Sequence, residues 1–90
     1  MSGVIVRGVI FLAYPKDHVP RHVHGFIGGK PNGKGTGEVI VDLREDRTVA
    51  LADRDDAVTG ASRSEVKKVL RAATLAYDRL IAAWEEMHVE

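Results

Sequence analysis

The last third of the chain carries one helical stripe. From about Arg63 to Met87, the residues Val66, Val69, Leu70, Ala73, Tyr77, Leu80, Ile81, Trp84 and Met87 fall within a sector roughly 120° wide at about 100° per residue. Ser62-Arg63-Ser64-Glu65 opens the stripe with the pattern of a capping box, in which the serine hydroxyl accepts a free backbone amide and the glutamate reaches back to the serine amide. Leu75 falls on the opposite side, between Arg71 and Arg79. Such a helix is about 37 Å long, whereas an eight-residue strand is about 26 Å. It must therefore overhang a sheet, bend, or pack partly against a neighbour.

The remainder must supply the surface on which that helix packs. Val4 to Tyr14 is rich in β-branched and aromatic residues and ends at Pro15, which reads as one strand with apolar side chains on both faces. Pro15, Asp17 and Pro20 then interrupt regular structure. Arg21 to Gly28 reads as a second strand, with Val23 and Ile27 on one face and His22, His24 and Phe26 on the other. Gly28 to Gly37 holds five glycines and forms a loop longer than a hairpin needs. Glu38 to Leu43 and Thr48 to Ala52 alternate as a hairpin, and only a loop of three or five residues pairs odd positions with odd positions on one face. Ala52 to Ala61 reads as an acidic loop. The expected fold is α+β: a single domain over 1–90, with a small antiparallel sheet of three to four strands and one long C-terminal helix packed on one face. One helix covers one face, so Ile5, Val9, Phe11, Phe26 and Ile40 are expected on the other, as a contact surface for a protein partner or a second copy.

Composition narrows the functional classes. The absence of cysteine excludes a disulfide scaffold, a thiolate nucleophile and every cysteine-based zinc site. No run of about 18 apolar residues exists to span a membrane, and VIFLAY is too short for a signal peptide. A reducing, cytoplasmic location is the expectation. Thirteen basic side chains balance thirteen acidic ones. The balance is uneven along the chain: residues 1–37 carry five basic residues against Asp17 alone, and residues 38–90 carry eight against twelve. Three of the four histidines fall in the positive segment, an asymmetry that suits an anionic ligand on one side.

Chemistry concentrates in DHVPRHVH, residues 17–24. His22 and His24 are two apart on a strand, so both rings project from one face with Cα atoms about 7 Å apart. That spacing permits two imidazoles to share a divalent metal ion, for which His22 and His24 are the ligand candidates. His18 and Asp17 are the nearest further donors, and His88 approaches only if the helix end folds back over this face. No cofactor other than such a metal is indicated. Without metal, a histidine pair can divide acid and base roles, and Arg21 with Lys16 can hold a phosphate. His22, His24, His18 and Arg21 are the catalytic candidates of that reading, which suits cleavage of RNA, where the 2′-hydroxyl is the nucleophile. The glycine-rich loop precedes a strand rather than a helix, which excludes a phosphate-binding P-loop. Arg63, Lys67, Lys68 and Arg71 crowd the helix start, where positive charge opposes the helix dipole, and so suit nucleic acid or an acidic partner.

The run YPKDHVPRHVHGFIGG, followed by a hairpin and a helix with a late tryptophan, resembles the small prokaryotic family known as domain of unknown function 4160. Asp17, His18, Pro20, His22, His24 and Trp84 correspond to its motif, and the resemblance spans roughly residues 9–88. Arg21 replaces the motif's second proline, the glycine-rich loop is longer, and Ala61-Ser62 stands where the family has leucine-proline. The family has no settled activity, and its members often neighbour a second small protein in operons resembling toxin–antitoxin modules. The resemblance therefore implies a small intracellular protein that acts through a protein partner and on RNA through its histidine face. Two readings of other classes stand beside it: a His-x-His metal module with hydrolytic activity, and a purely structural or interaction protein of a phage or mobile element. The residues do not decide whether the chain is an enzyme.

Overall fold

The apolar N-terminal run is folded back on itself. In the computed structural model, which describes residues 2–16, 20–28 and 37–88, the chain forms β1 (Ser2–Val6) and β2 (Val9–Ala13), joined by Arg7 and Gly8. Both turn residues have positive φ, 51° and 80°, and Val6 pairs with Val9. A two-residue turn with this handedness matches the twist of the flanking strands. The single strand expected over Val4 to Tyr14 is thus a hairpin. The glycine was the only turn signal, because arginine is an uncommon residue at the first positive-φ position.

The sheet continues through β3 (His22–Ile27) and β4 (Gly37–Leu43) to β5 (Val49–Leu51), all antiparallel in the order β1-β2-β3-β4-β5. A sixth short strand, β6 (Val58–Thr59), pairs with the start of β4, beside residues that β5 leaves unpaired. The sheet therefore has six strands rather than three or four, and part of the expected acidic loop belongs to it. Between β5 and β6 the chain makes an excursion anchored on Ile40: its carbonyl accepts the Ala52 amide, and its amide donates to the Ala57 carbonyl. The β4–β5 hairpin pairs Leu43 with Val49 and Val41 with Leu51, odd with odd as the alternation requires. Arg47 takes positive φ at the end of its turn, and Asp46 accepts the Thr48 amide.

The C-terminal stripe is two helices, α1 (Arg63–Leu75) and α2 (Tyr77–Met87), not one. A straight helix of about 37 Å would exceed the longest dimension of the molecule, 35 Å. The break falls at Ala76, whose φ and ψ of −105° and 16° leave the helical region while its amide still reaches the Ala72 and Ala73 carbonyls. Just before it the Thr74 hydroxyl donates to the Leu70 carbonyl, a back-bond that favours bending. Just after it the Tyr77 hydroxyl donates to the Arg44 carbonyl, and Arg47 pairs with Asp78, which holds α2 against the β4–β5 turn.

The stripe faces the sheet as expected. Val69, Ala73, Tyr77 and Leu80 join Val4, Val9, Phe11, Ala13, Val23, Val39, Val41 and Leu43 in one core, against which Val66, Leu70, Ile81 and Met87 pack. Leu75 is exposed, also as expected. The second face differs from the expectation. Phe11 pairs with Gly25, not with Phe26, so Phe11 and Val9 belong to the helix side. Phe26 and Ile40 do lie on the opposite face, yet they are 1% and 2% exposed, and Ile40 packs with Ala52 and Ala57. Only Ile5 of the five expected residues is open to solvent, so these residues do not form the bare apolar face expected of them.

The capping box forms in full: the Glu65 amide donates to Ser62 Oγ at 3.2 Å, and the Ser62 amide donates to Glu65 Oε1 at 2.9 Å. The bond from the Ser62 amide also holds the Glu65 carboxyl below the ordinary range. A carboxyl with a lowered folded value stabilises above its unfolded pKa and loses that contribution as pH falls through the folded one. Ser62→Ala should lower stability by about 1 kcal/mol, measured by urea denaturation at neutral pH. Equal midpoints at neutral pH would show that the cap is not formed.

Candidate functional site

Strand alternation sets His22, His24 and Phe26 on one face of β3, and the structure keeps both imidazoles together there, ring centroids 5.5 Å apart. Each ring is held through its Nδ1. His22 Nδ1 lies 2.9 Å from the Pro20 carbonyl oxygen, and His24 Nδ1 lies 2.7 Å from Glu38 Oε2. A carbonyl or carboxylate oxygen can only accept, so in both rings Nδ1 carries the proton, and in the neutral form Nε2 carries the lone pair. Glu38 reaches His24 because of the β3–β4 register. Glu38 stands opposite Phe26, one pair along from His24 and Ile40, and a long side chain spans that diagonal.

The two rings differ in exposure. His22 is buried, with its Nε2 inside the protein, and His24 is partly open, its side chain 13% exposed. Tyr14 meets the His24 ring edge-on with centroids 4.9 Å apart. On the other side the Trp84 indole sits 5.4 Å from the His22 ring and stacks at 3.7 Å on His88. His88 Nδ1 donates to the Trp84 carbonyl across one helical turn, at 2.7 Å. A continuous series of rings, Tyr14, His24, His22, Trp84 and His88, thus ties the end of α2 to the second face of β3. His88 does fold toward this face, but through the indole rather than beside the pair. Among the described residues no group of three or more potential metal ligands comes together.

Two carboxylates lie near His24, the second of them paired with Arg54. Besides Glu38, Asp56 of the β5–β6 excursion lies within electrostatic reach. Its carboxyl is lowered chiefly by the hydrogen bond from Arg54, with the His24 charge a smaller cause. Arg21 is not part of this cluster. It lines a separate cleft of about 510 Å³ with Pro20, Asp42, Leu43, Arg44 and Glu45, and its carbonyl accepts the Leu43 amide. Asp17 and His18 lie outside the described residues, as does most of the glycine-rich segment. Glu38, Tyr14 and Asp56 join the site unannounced by any motif. Glu38 shares its strand face with Ile40 and Asp42, and that alternation was the available signal, once β3 and β4 are known to be neighbours.

An α+β domain with a paired-imidazole cluster on its second sheet face is therefore what fold and site define. No family model matches the chain, and no curated protein or solved structure is significantly similar to it. The resemblance to domain of unknown function 4160 rests on its motif alone. No helix among the described residues is long and apolar enough to cross a membrane.

Proposed function

We propose that His22 and His24 form the protein part of a divalent-metal site with hydrolytic activity. The observation that carries this reading is the engagement of both Nδ1 atoms by protein oxygens, Pro20 O and Glu38 Oε2. Metal-binding histidines are oriented in this way, by a backbone carbonyl or carboxylate on the far ring nitrogen. The Glu38 carboxylate on His24 favours a cation over a phosphate at this spot. His22 and His24 would hold the ion through two nitrogens, one of them inside the protein, so binding would be weak compared with a closed four-ligand site. The chemistry such an ion would supply is the activation of water for hydrolysis.

A second reading is favoured by the His24–Glu38 contact taken alone. A carboxylate that orients an imidazole prepares Nε2 as a general base, and His24 is the ring with access to solvent. This is the metal-free, RNA-cleaving protein of a toxin–antitoxin-like pair, working with a protein partner. The burial of His22 weighs against its sharing that task as an acid.

Zinc and nickel titration of the wild type and of His22→Ala/His24→Ala, beside an RNA and phosphodiester cleavage assay with and without chelator, separates the two. The metal reading expects micromolar or weaker binding that disappears in the double variant. Affinity should also fall in acid, because imidazole must be neutral to ligate. Cleavage that survives chelator but not His24→Ala supports the second reading, and growth arrest on expression supports its cellular form. Identical traces for both proteins in every arm would dismiss both and leave an interaction protein.

A further inference from the structure

We propose that the open concavity between the β1–β2 turn and α1 docks the phosphate backbone of a nucleic acid. Arg7, Ser64, Lys67, Lys68 and Arg71 line a hollow of about 370 Å³. Arg7 comes from the two-residue turn, some sixty residues earlier in the chain, and the fold places it beside the basic face of the helix. Arg63, grouped with these cations by sequence, instead lines the neighbouring groove with Leu51 and Val58.

All four cations are exposed, and among the described residues none makes a hydrogen bond or ion pair. α1 carries four basic residues against Glu65 alone, and that carboxylate is occupied by the Ser62 amide. Lys67 and Arg71 are four apart and Lys68 and Arg71 three apart, so like charges face each other on the helix surface and disfavour it slightly. Glu65, within electrostatic reach of Lys68, is the one carboxylate of α1, and it offsets only part of the charge of the four cations. The arrangement is electrostatically incomplete without an anion.

The lining points to phosphate rather than to a protein. Every lining residue is charged or bears a hydroxyl, whereas a protein interface needs an apolar or aromatic anchor at its centre. Two arginine forks and a serine hydroxyl suit phosphate oxygens. No aromatic ring lines the hollow on which a base could stack, so binding should tolerate sequence. This surface is separate from the imidazole pair, and the inference stands whichever reading of that pair holds.

The test is fluorescence anisotropy of the whole protein with labelled duplex DNA and a labelled RNA hairpin, as salt rises from about 50 to 200 mM. Wild type should bind duplex with a log–log salt slope of about −3 to −4, near −0.9 for each phosphate neutralised. Lys68→Ala/Arg71→Ala should bind at least about tenfold more weakly at low salt, with the slope reduced by about 2. Arg7→Ala should lose about one unit of slope. Arg79→Ala, which removes an exposed charge on α2, should bind as wild type, and circular dichroism should show every variant folded. The proposal is overturned if wild type shows no salt-dependent binding, or if Lys68→Ala/Arg71→Ala binds as wild type does. It is equally overturned if polyglutamate of matching charge competes as well as nucleic acid, which would assign the surface to an acidic protein.

Discussion

Trp84→Ala is expected to remove about 3–5 kcal/mol of stability, a large part of the roughly 5–13 kcal/mol available to a domain of this size. The indole is 4% exposed. It also touches both His22 and His88, at 5.4 and 3.7 Å between centroids. Its loss would therefore do two things. It would open a cavity that neighbouring side chains fill only in part, and it would detach the last turn of α2 from the face of β3. The first effect lowers the urea midpoint followed by far-ultraviolet circular dichroism. The second loosens the His22 ring and should weaken any metal binding at the imidazole pair in conditions where the variant is still folded. Trp84→Phe keeps a ring to stack on His88 and should lose clearly less. A Trp84→Ala protein within about 1 kcal/mol of wild type would behave like a surface substitution and would contradict the burial.

Much of this arrangement is legible in the sequence, for physical reasons that can be named. The helical stripe and the capping box are local patterns, and both appear where the residues place them. The odd-with-odd register of β4 and β5 follows from alternation alone. The shared face of His22 and His24 follows from a period of two. What the sequence conceals depends on contacts between distant segments. The break at Ala76 comes from the mismatch between a long helix and a smaller sheet, and alanine itself is the best helix former. The Arg7-Gly8 turn lies inside an apolar run that reads equally well as one strand. The placement of Phe11 depends on that turn, since the β2–β3 register sets it opposite Gly25 and so on the helix side. Glu38 and Trp84 reach the histidines only through the β3–β4 register and the path of α2, neither of which leaves a local signature.

The β2–β3 register leaves Gly25 no room for a side chain. A Cβ built there would stand 2.8 Å from Val69 Cγ1 and 3.0 Å from Phe11 Cε1. Both neighbours are fully buried, at 0% and 1% exposure, and neither has room to retreat. Val69 is β-branched, which leaves it essentially one rotamer on a helix. Phe11 lies across from Gly25 on the adjacent strand. Relief must therefore come from moving α1 away from the sheet, against the packing of its whole inner face. Gly25→Ala should lower stability by about 1–3 kcal/mol, the range for overfilled cores. Gly25→Val adds two further methyl groups at the same point and should lower it by about 3 kcal/mol or more. A double-mutant cycle identifies the cause. Val69→Ala removes the methyl that the new Cβ strikes, so Gly25→Ala combined with Val69→Ala should be less damaging than the two losses added, by about 0.5–3 kcal/mol. Strict additivity, or a Gly25→Ala protein as stable as wild type, would mean that α1 does not rest on the glycine, and that the close approach of helix and sheet at this point is wrong.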